Sequence, residues 1–227
     1  MTGEQLVRMS GLGLVAGAAL SFLAVLATTV LYSGDLNTAA TQPGWVVFNL
    51  LEFVGVALLL LGLPVLAVAS AGPAGRTGVA GIVLIFVTGL LFGVFLPLMS
   101  AVLAPDLATR APAIFKGNGP ASFGPLFIVG TLVSAVGGAL LAVPLVTGRM
   151  LPRWAGYALV ASVVLGIVGF FLPQGSSSVL LRLIANLSPL ALFAALAALG
   201  YRQWMPPAGA AAPAAGSGGA SATLPTG

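Results

Sequence analysis

Glu52 is the residue of this chain best placed to do chemistry, because it sits inside the apolar stretch Trp45–Ser70, where a carboxylate is out of place. Asn49 precedes it by three positions, a spacing that puts two side chains on one helical face. A second polar pair, Arg182 and Asn186, lies near the start of another apolar stretch, Val179–Tyr201, with Ser188 and Pro189 just beyond. If both stretches are counted from the same end of a bundle, the two pairs fall at similar depth. A charge at the centre of a bilayer costs roughly 2.5–3.5 kcal/mol even on the lenient insertion scale. The sequence therefore predicts that Glu52 and Arg182 pair across the interior of a bundle. Pro189 also leaves the Ala185 carbonyl without its helical donor. Interrupted helices beside embedded polar groups are how many transporters build binding sites. Two readings of the four residues stand side by side: a buried ion pair that ties helices together, and a solute or proton-coupling site opening outward.

The elements that must position these residues are transmembrane helices. The chain has 227 residues, 59% hydrophobic and 5% charged, with a mean hydropathy of +1.14. Soluble domains carry roughly 25% charged residues. A hydrocarbon core of about 30 Å takes about 20 helical residues. Met9–Leu31, Trp45–Ser70, Gly78–Leu103, Leu126–Thr147, Trp154–Leu172 and Val179–Tyr201 are six stretches of about that length, the fifth being the shortest. Strands of a membrane barrel would alternate apolar and polar residues over about ten positions, and none of these stretches does. The expected class is all-α: a polytopic bundle of six transmembrane helices over residues 1–205, with a Pro/Ala/Gly-rich tail at 206–227. That tail has little apolar bulk to offset the entropy of ordering.

Charge placement sets the expected orientation. Arg8, Arg76, Arg149, Arg153 and Arg202 all fall on one side if the spans alternate, and they are five of the eight basic residues. Basic residues favour the cytoplasmic side, so both termini are expected there, in a multi-pass protein of the cell membrane. The basic balance (pI near 10.4) is thereby explained without a nucleic-acid partner. The first apolar run is longer than the 7–15 residues of a signal-peptide core and lacks a small-residue cleavage site. It is expected to be retained as a span.

The chain contains no cysteine and no histidine, and only four carboxylates. The commonest ligands for zinc, haem and iron–sulfur clusters are thus missing. No G-x-S-x-G or P-loop pattern is present. No catalytic residue, metal or cofactor is expected, and the protein is read as non-enzymatic. Asp106 and Arg110, four apart in the Pro- and Gly-rich connection 104–124, are expected to make a solvated surface pair.

Small residues four apart mark the faces where helices approach: Gly13 with Gly17, Gly89 with Gly93, Gly130 with Ser134 and Gly138, and Ala158 with Ser162 and Gly166. They suit packing within the bundle or against a second copy. Tyr32, Trp45, Trp154, Tyr201 and Trp204 stand at span ends, where aromatic rings suit the headgroup boundary. Ile114, Phe115 and Phe123 are apolar for a connecting loop, which leaves two readings: a plain connector that dips back into the interface, or a lid or docking surface. Gly93-Val94-Phe95-Leu96-Pro97 and Gly169-Phe170-Phe171-Leu172-Pro173 each follow a turn with an arginine and a helix with a late proline, Pro64 or Pro144. Spans two–three and four–five thus resemble two copies of one hairpin, related by an axis along the membrane normal.

A wider resemblance rests on Thr77-Gly78-x-x-Gly81, on Pro105-Asp106-Leu107 with Ala111-Pro112, on Leu151-Pro152-Arg153-Trp154-Ala155-Gly156, and on Gly200-Tyr201-x-x-Trp204. In this order and spacing they resemble small, uncharacterised, six-span bacterial integral membrane proteins. The resemblance implies the six-span layout and carries no assigned activity. The expected function is an accessory, scaffolding or partner-binding subunit in contact with lipid and with other membrane chains or itself. The alternative is a small transporter or lipid-interacting permease built around Glu52 and Arg182.

Overall fold

Thr2 starts the first helix. Its hydroxyl accepts from the Gln5 backbone at 3.3 Å while the Gln5 side chain accepts from the Thr2 backbone at 3.1 Å. This reciprocal cap satisfies two donors that a helix start leaves open. In the computed structural model, residues 2–32, 36–115, 123–150, 152–171 and 178–205 are described. The predicted tail at 206–227, together with Asp35, Lys116 and Pro173, lies outside them, as do the side chains of Ile114, Phe115 and Phe123.

The described chain is all-helical. Helix α1 spans Gly3–Leu31, the short α2 Leu36–Ala40, and α3 Trp45–Ala69. Helix α4, Ala71–Thr88, passes into a π-helical segment, Gly89–Phe95, and then into α5, Leu96–Val102. After it come α6, Ala104–Arg110, a 3₁₀ turn at Pro112–Phe115, α7 at Phe123–Val146, α8 at Arg153–Phe170 and α9 at Val179–Trp204. Five helical stretches are long and apolar enough to cross a membrane: α1, α3, Ala71–Val102, Gly124–Val146 and α9. The predicted fifth span, Trp154–Leu172, is realised as the shorter α8 of 18 residues.

The break before span three has a backbone cause. Gly75 takes φ +61°, a left-handed conformation that side chains with a Cβ rarely adopt, so the regular helix starts at the following residues. Gly44, at φ +87°, likewise turns the chain into α3, with Trp45 as its first residue.

The long helices form a closed ring in chain order. Helix α3 packs on α1, the α4–α5 stretch on α3, α7 on α4, α8 on α7, α9 on α8, and α9 closes back onto α1. The contacts run through glycines. A Cβ at Gly17 would come 2.5 Å from the Gly55 carbonyl oxygen, one at Gly11 2.6 Å from that of Gly200, and one at Gly81 2.7 Å from that of Gly137. Without water to expel, helices in lipid associate by dispersion, which needs backbones this near. Leucines fill the centre, with Leu14, Leu141, Leu145 and Leu159 wholly buried and Leu63 nearly so.

Packing is uneven along the axis. The buried residues of α7, α8 and α9 crowd the end that holds the termini, as in Leu141–Leu145, Ala155–Leu159 and Leu190–Gly200. At the opposite end Leu126, Phe127, Ile128 and Val129 of α7 are four successive exposed residues. Large apolar side chains are also exposed along the outer flanks, including Leu23, Leu61, Val68, Val83 and Leu132. That band suits contact with hydrocarbon.

The proposed hairpin repeat is treated unequally by the two copies. Gly93–Phe95 lies within the π-helical segment and Leu96-Pro97 opens α5, whereas α8 stops at Phe170.

Substituting Gly55 by Ala forces a methyl group against the Ser21 amide and the Gly17 carbonyl. We expect it to lower stability by about 1–3 kcal/mol. Gly72→Ala, with nothing within 4 Å, should stay within about 0.5 kcal/mol of the parent. Thermal unfolding of both variants in mild detergent checks this, and equal melting of the two would refute the close-approach account.

Candidate functional site

Helix α3 carries Glu52 on the face that holds Asn49, Val56, Leu59 and Leu63, all four of them buried. Gly55, one turn further along, lies against Ser21 of α1, and Val56 lies against Gly93 of the π-helical segment. Glu52 is consequently aimed at the bundle interior, between α1 and span three. It is half-buried and makes no hydrogen bond or ion pair with any described residue. Asn49 does not help it, since its amide donates to the Trp45 carbonyl of its own helix at 2.9 Å.

Arg182 lies one turn into α9 and is also half-buried. Its Nε and Nη1 atoms are shielded and have no acceptor. Asn186 repeats the behaviour of Asn49 and donates to the Arg182 carbonyl at 2.9 Å. The predicted Glu52–Arg182 pair is not formed. Helix α1 packs between α3 and α9, each of which makes its main interface with α1 rather than with the other. Among the described residues the ion pair is Arg110–Asp106, at 2.9 Å on α6, and both side chains are well exposed. That surface pair follows the sequence expectation; the embedded pair does not. Residue counts speak only to depth along the helices, and the order of helices around the ring is not legible from them.

The loop-side end of the bundle is closed over Trp45. Its Nε1 donates to the Ser100 carbonyl at 3.0 Å, fastening the end of span three to the start of α3. Ala40 of α2 and Ala104 and Ala108 of α6 pack together beside the Trp45 ring. Asn37 donates across to the Pro112 carbonyl at 3.2 Å. Tyr32 is buried rather than displayed at a headgroup boundary. Its hydroxyl donates to the Pro43 carbonyl at 2.9 Å and its ring stands edge-on to Trp45. Trp154, Tyr201 and Trp204, at the other end, are exposed as anchors would be.

Two features escaped the sequence reading. The first is the π-helical segment Gly89–Phe95 against α3; such wide turns are frequent at functional sites. Its signal, Gly89 and Gly93 on one face, was legible only as a packing motif, and those glycines meet Leu60 and Val56. The second is a reciprocal link between α8 and α9. The Ser162 hydroxyl donates to the Ser188 carbonyl and the Ser188 hydroxyl to the Ser162 carbonyl, both at 2.8 Å. Gly169 then lets α8 approach the Ala185 carbonyl, where a Cβ would sit 3.0 Å away. That is the carbonyl Pro189 deprives of a donor.

No group of three or more metal-ligating side chains occurs among the described residues. Comparison with protein-family models, with curated proteins and with solved structures gives no match to the chain.

Because neither embedded charge has an ion-pair partner among the described residues, neither should support the fold. Breaking a buried pair costs about 3–5 kcal/mol. We expect Glu52→Gln and Arg182→Met to melt in detergent at or above the temperature of the parent. A fall of several kcal/mol in both variants would show that the two are paired after all.

Proposed function

We propose that this chain is a six-span, non-enzymatic integral membrane protein that acts as an accessory or scaffolding subunit, binding a partner within the bilayer. The observation that carries this reading is the embedded charge of Arg182, whose Nε and Nη1 are shielded without an acceptor among the described residues and which does not pair with Glu52. Ionisable groups in membrane spans are costly and are normally satisfied by a partner. A second membrane chain offering a carboxylate or carbonyl to Arg182 would satisfy that charge, whereas Glu52 faces the interior of its own bundle. The uncovered turn Leu126–Val129 of α7 supplies apolar surface near the same end of the bundle. The partner is another membrane protein or a second copy of the chain, and neither catalysis nor a cofactor is invoked.

In this reading α8 is the fifth of six spans. Its 18 residues extend about 27 Å, close to the thickness of the hydrocarbon core. Both termini face the cytoplasm, since Arg8, Arg76, Arg149, Arg153 and Arg202 share their side. Kinship with small six-span bacterial membrane proteins, and descent of the two inner hairpins from one ancestor, belong to the same proposal. A second reading is favoured by the direction of Glu52. It faces the interior beside a π-helical segment, as a solute or proton-coupling residue of a small transporter would.

Two experiments test these readings. The chain lacks cysteine, so single cysteines report topology directly. Thr109→Cys should react with an impermeant maleimide on intact cells, and Thr2→Cys only after permeabilisation; the reverse pattern would invert the orientation. A photo-cross-linking residue at position 182, in the native host membrane, should give a discrete adduct with a second polypeptide. Lipid adducts alone at that position would count against the subunit reading. Loss of proton-coupled flux in Glu52→Gln proteoliposomes, with the fold retained, would favour the transporter.

A further inference from the structure

At the end that holds the termini, two grooves meet at one arginine. The first, of about 350 Å³, lies between α3, the α7–α8 turn and α9, and is lined by Ser70, Pro73, Arg149, Met150, Arg202 and Gln203 among others. The second, of about 380 Å³, runs along the outside of α8 and α9 between Pro152, Trp154, Ala194, Ala197, Tyr201 and Arg202. Arg202 lines both.

We infer that these grooves together bind an anionic phospholipid of the leaflet on the terminal side, its phosphate held by Arg202 and Arg149 and one acyl chain laid along the α8–α9 furrow. The inference rests on the membrane setting proposed above, and not on the subunit role.

Charge is the first argument. Neither arginine makes an ion pair with a described residue, and no carboxylate lines either groove. Of the four acids in the chain, only Glu4 belongs to this end, against five arginines. Ser70 and Gln203 add polar side chains to the headgroup side, although the Ser70 hydroxyl is already engaged with the Leu66 carbonyl.

Shape is the second. The furrow floor is made of alanines, which leave room where larger side chains would fill it. From Ala194 to Arg202 it extends about 12 Å along the helix, most of the roughly 15 Å of hydrocarbon in one leaflet. Trp154 and Tyr201, 54% and 51% exposed, stand at its rim at headgroup level. A soluble anion would use the arginines but would have no need of an apolar channel leading away from them toward the membrane centre. A lipid uses both. Basic pockets between transmembrane helices on this side are a recurring headgroup site.

The test uses the full-length protein, delipidated in mild detergent, with dioleoyl phosphatidylglycerol and dioleoyl phosphatidylcholine as probes and native mass spectrometry as the readout. Phosphatidylglycerol should be retained in preference to phosphatidylcholine. Arg202→Gln and Arg149→Gln should each weaken its retention about five-fold. Ala197→Phe, which fills the furrow without changing charge, should weaken it as well, while excess inorganic phosphate should fail to displace the lipid. Arg76→Gln serves as the control, since it removes a charge from the same end without touching either groove. Equal retention of the two lipids would overturn the proposal. So would a loss with Arg76→Gln as large as that with Arg202→Gln, which would mean diffuse surface charge rather than a site. Displacement by phosphate, or full retention by Ala197→Phe, would also overturn it, by assigning the arginines to a soluble anion. Each variant is compared only after its melting temperature matches the parent; if Ala197→Phe does not fold, Ala194→Leu takes its place.

Discussion

The bundle depends on backbones approaching until carbonyl oxygens and glycine Cα atoms are in contact. Water expulsion, the main force in soluble cores, offers little when the alternative surroundings are acyl chains. What remains is dispersion, which falls off steeply with distance, and hydrogen bonds between helices. Gly17 on Gly55, Gly11 on Gly200 and Gly81 on Gly137 place three of the helix pairs at that range. The two serines that exchange hydrogen bonds, Ser162 and Ser188, do the corresponding work between α8 and α9. The leucines of the centre fill the space these contacts define.

The same constraint explains where polarity is tolerated. Wherever the described chain buries a hydroxyl or amide, it mostly turns the group back on its own helix, as Thr29 does to Val25, Asn49 to Trp45 and Asn186 to Arg182. Full charges have no such local remedy. Glu52 and Arg182 are set in the half of the bundle where α7, α8 and α9 contribute little buried surface, and α1 keeps them on separate interfaces. Among the described residues nothing offsets a cost of this kind.

Helix positions were legible because hydrocarbon thickness imposes a length: Trp45 and Val179 begin helices as expected, and Leu31 ends one. Small residues four apart marked true contacts at Gly17 and Gly93, since only such residues permit the approach. Which helix faces which was another matter. Six long helices of similar composition can be ordered around a ring in many ways, and nothing in Glu52 or Arg182 records that α1 lies between their helices. The aromatic residues illustrate the same limit. Tyr32 and Trp204 both end spans, yet one is drawn into a cluster with Trp45 and Phe48 while the other stays exposed. The difference lies in the loop chemistry of Pro43-Gly44, which returns the chain over Tyr32.

Helix α9 meets α1 through Gly200 and Gly11, so two segments far apart in the sequence are neighbours in the ring. This interface cannot form until α9 has been inserted, and until then the small-residue flank of α1 lies uncovered in the lipid, open to other chains.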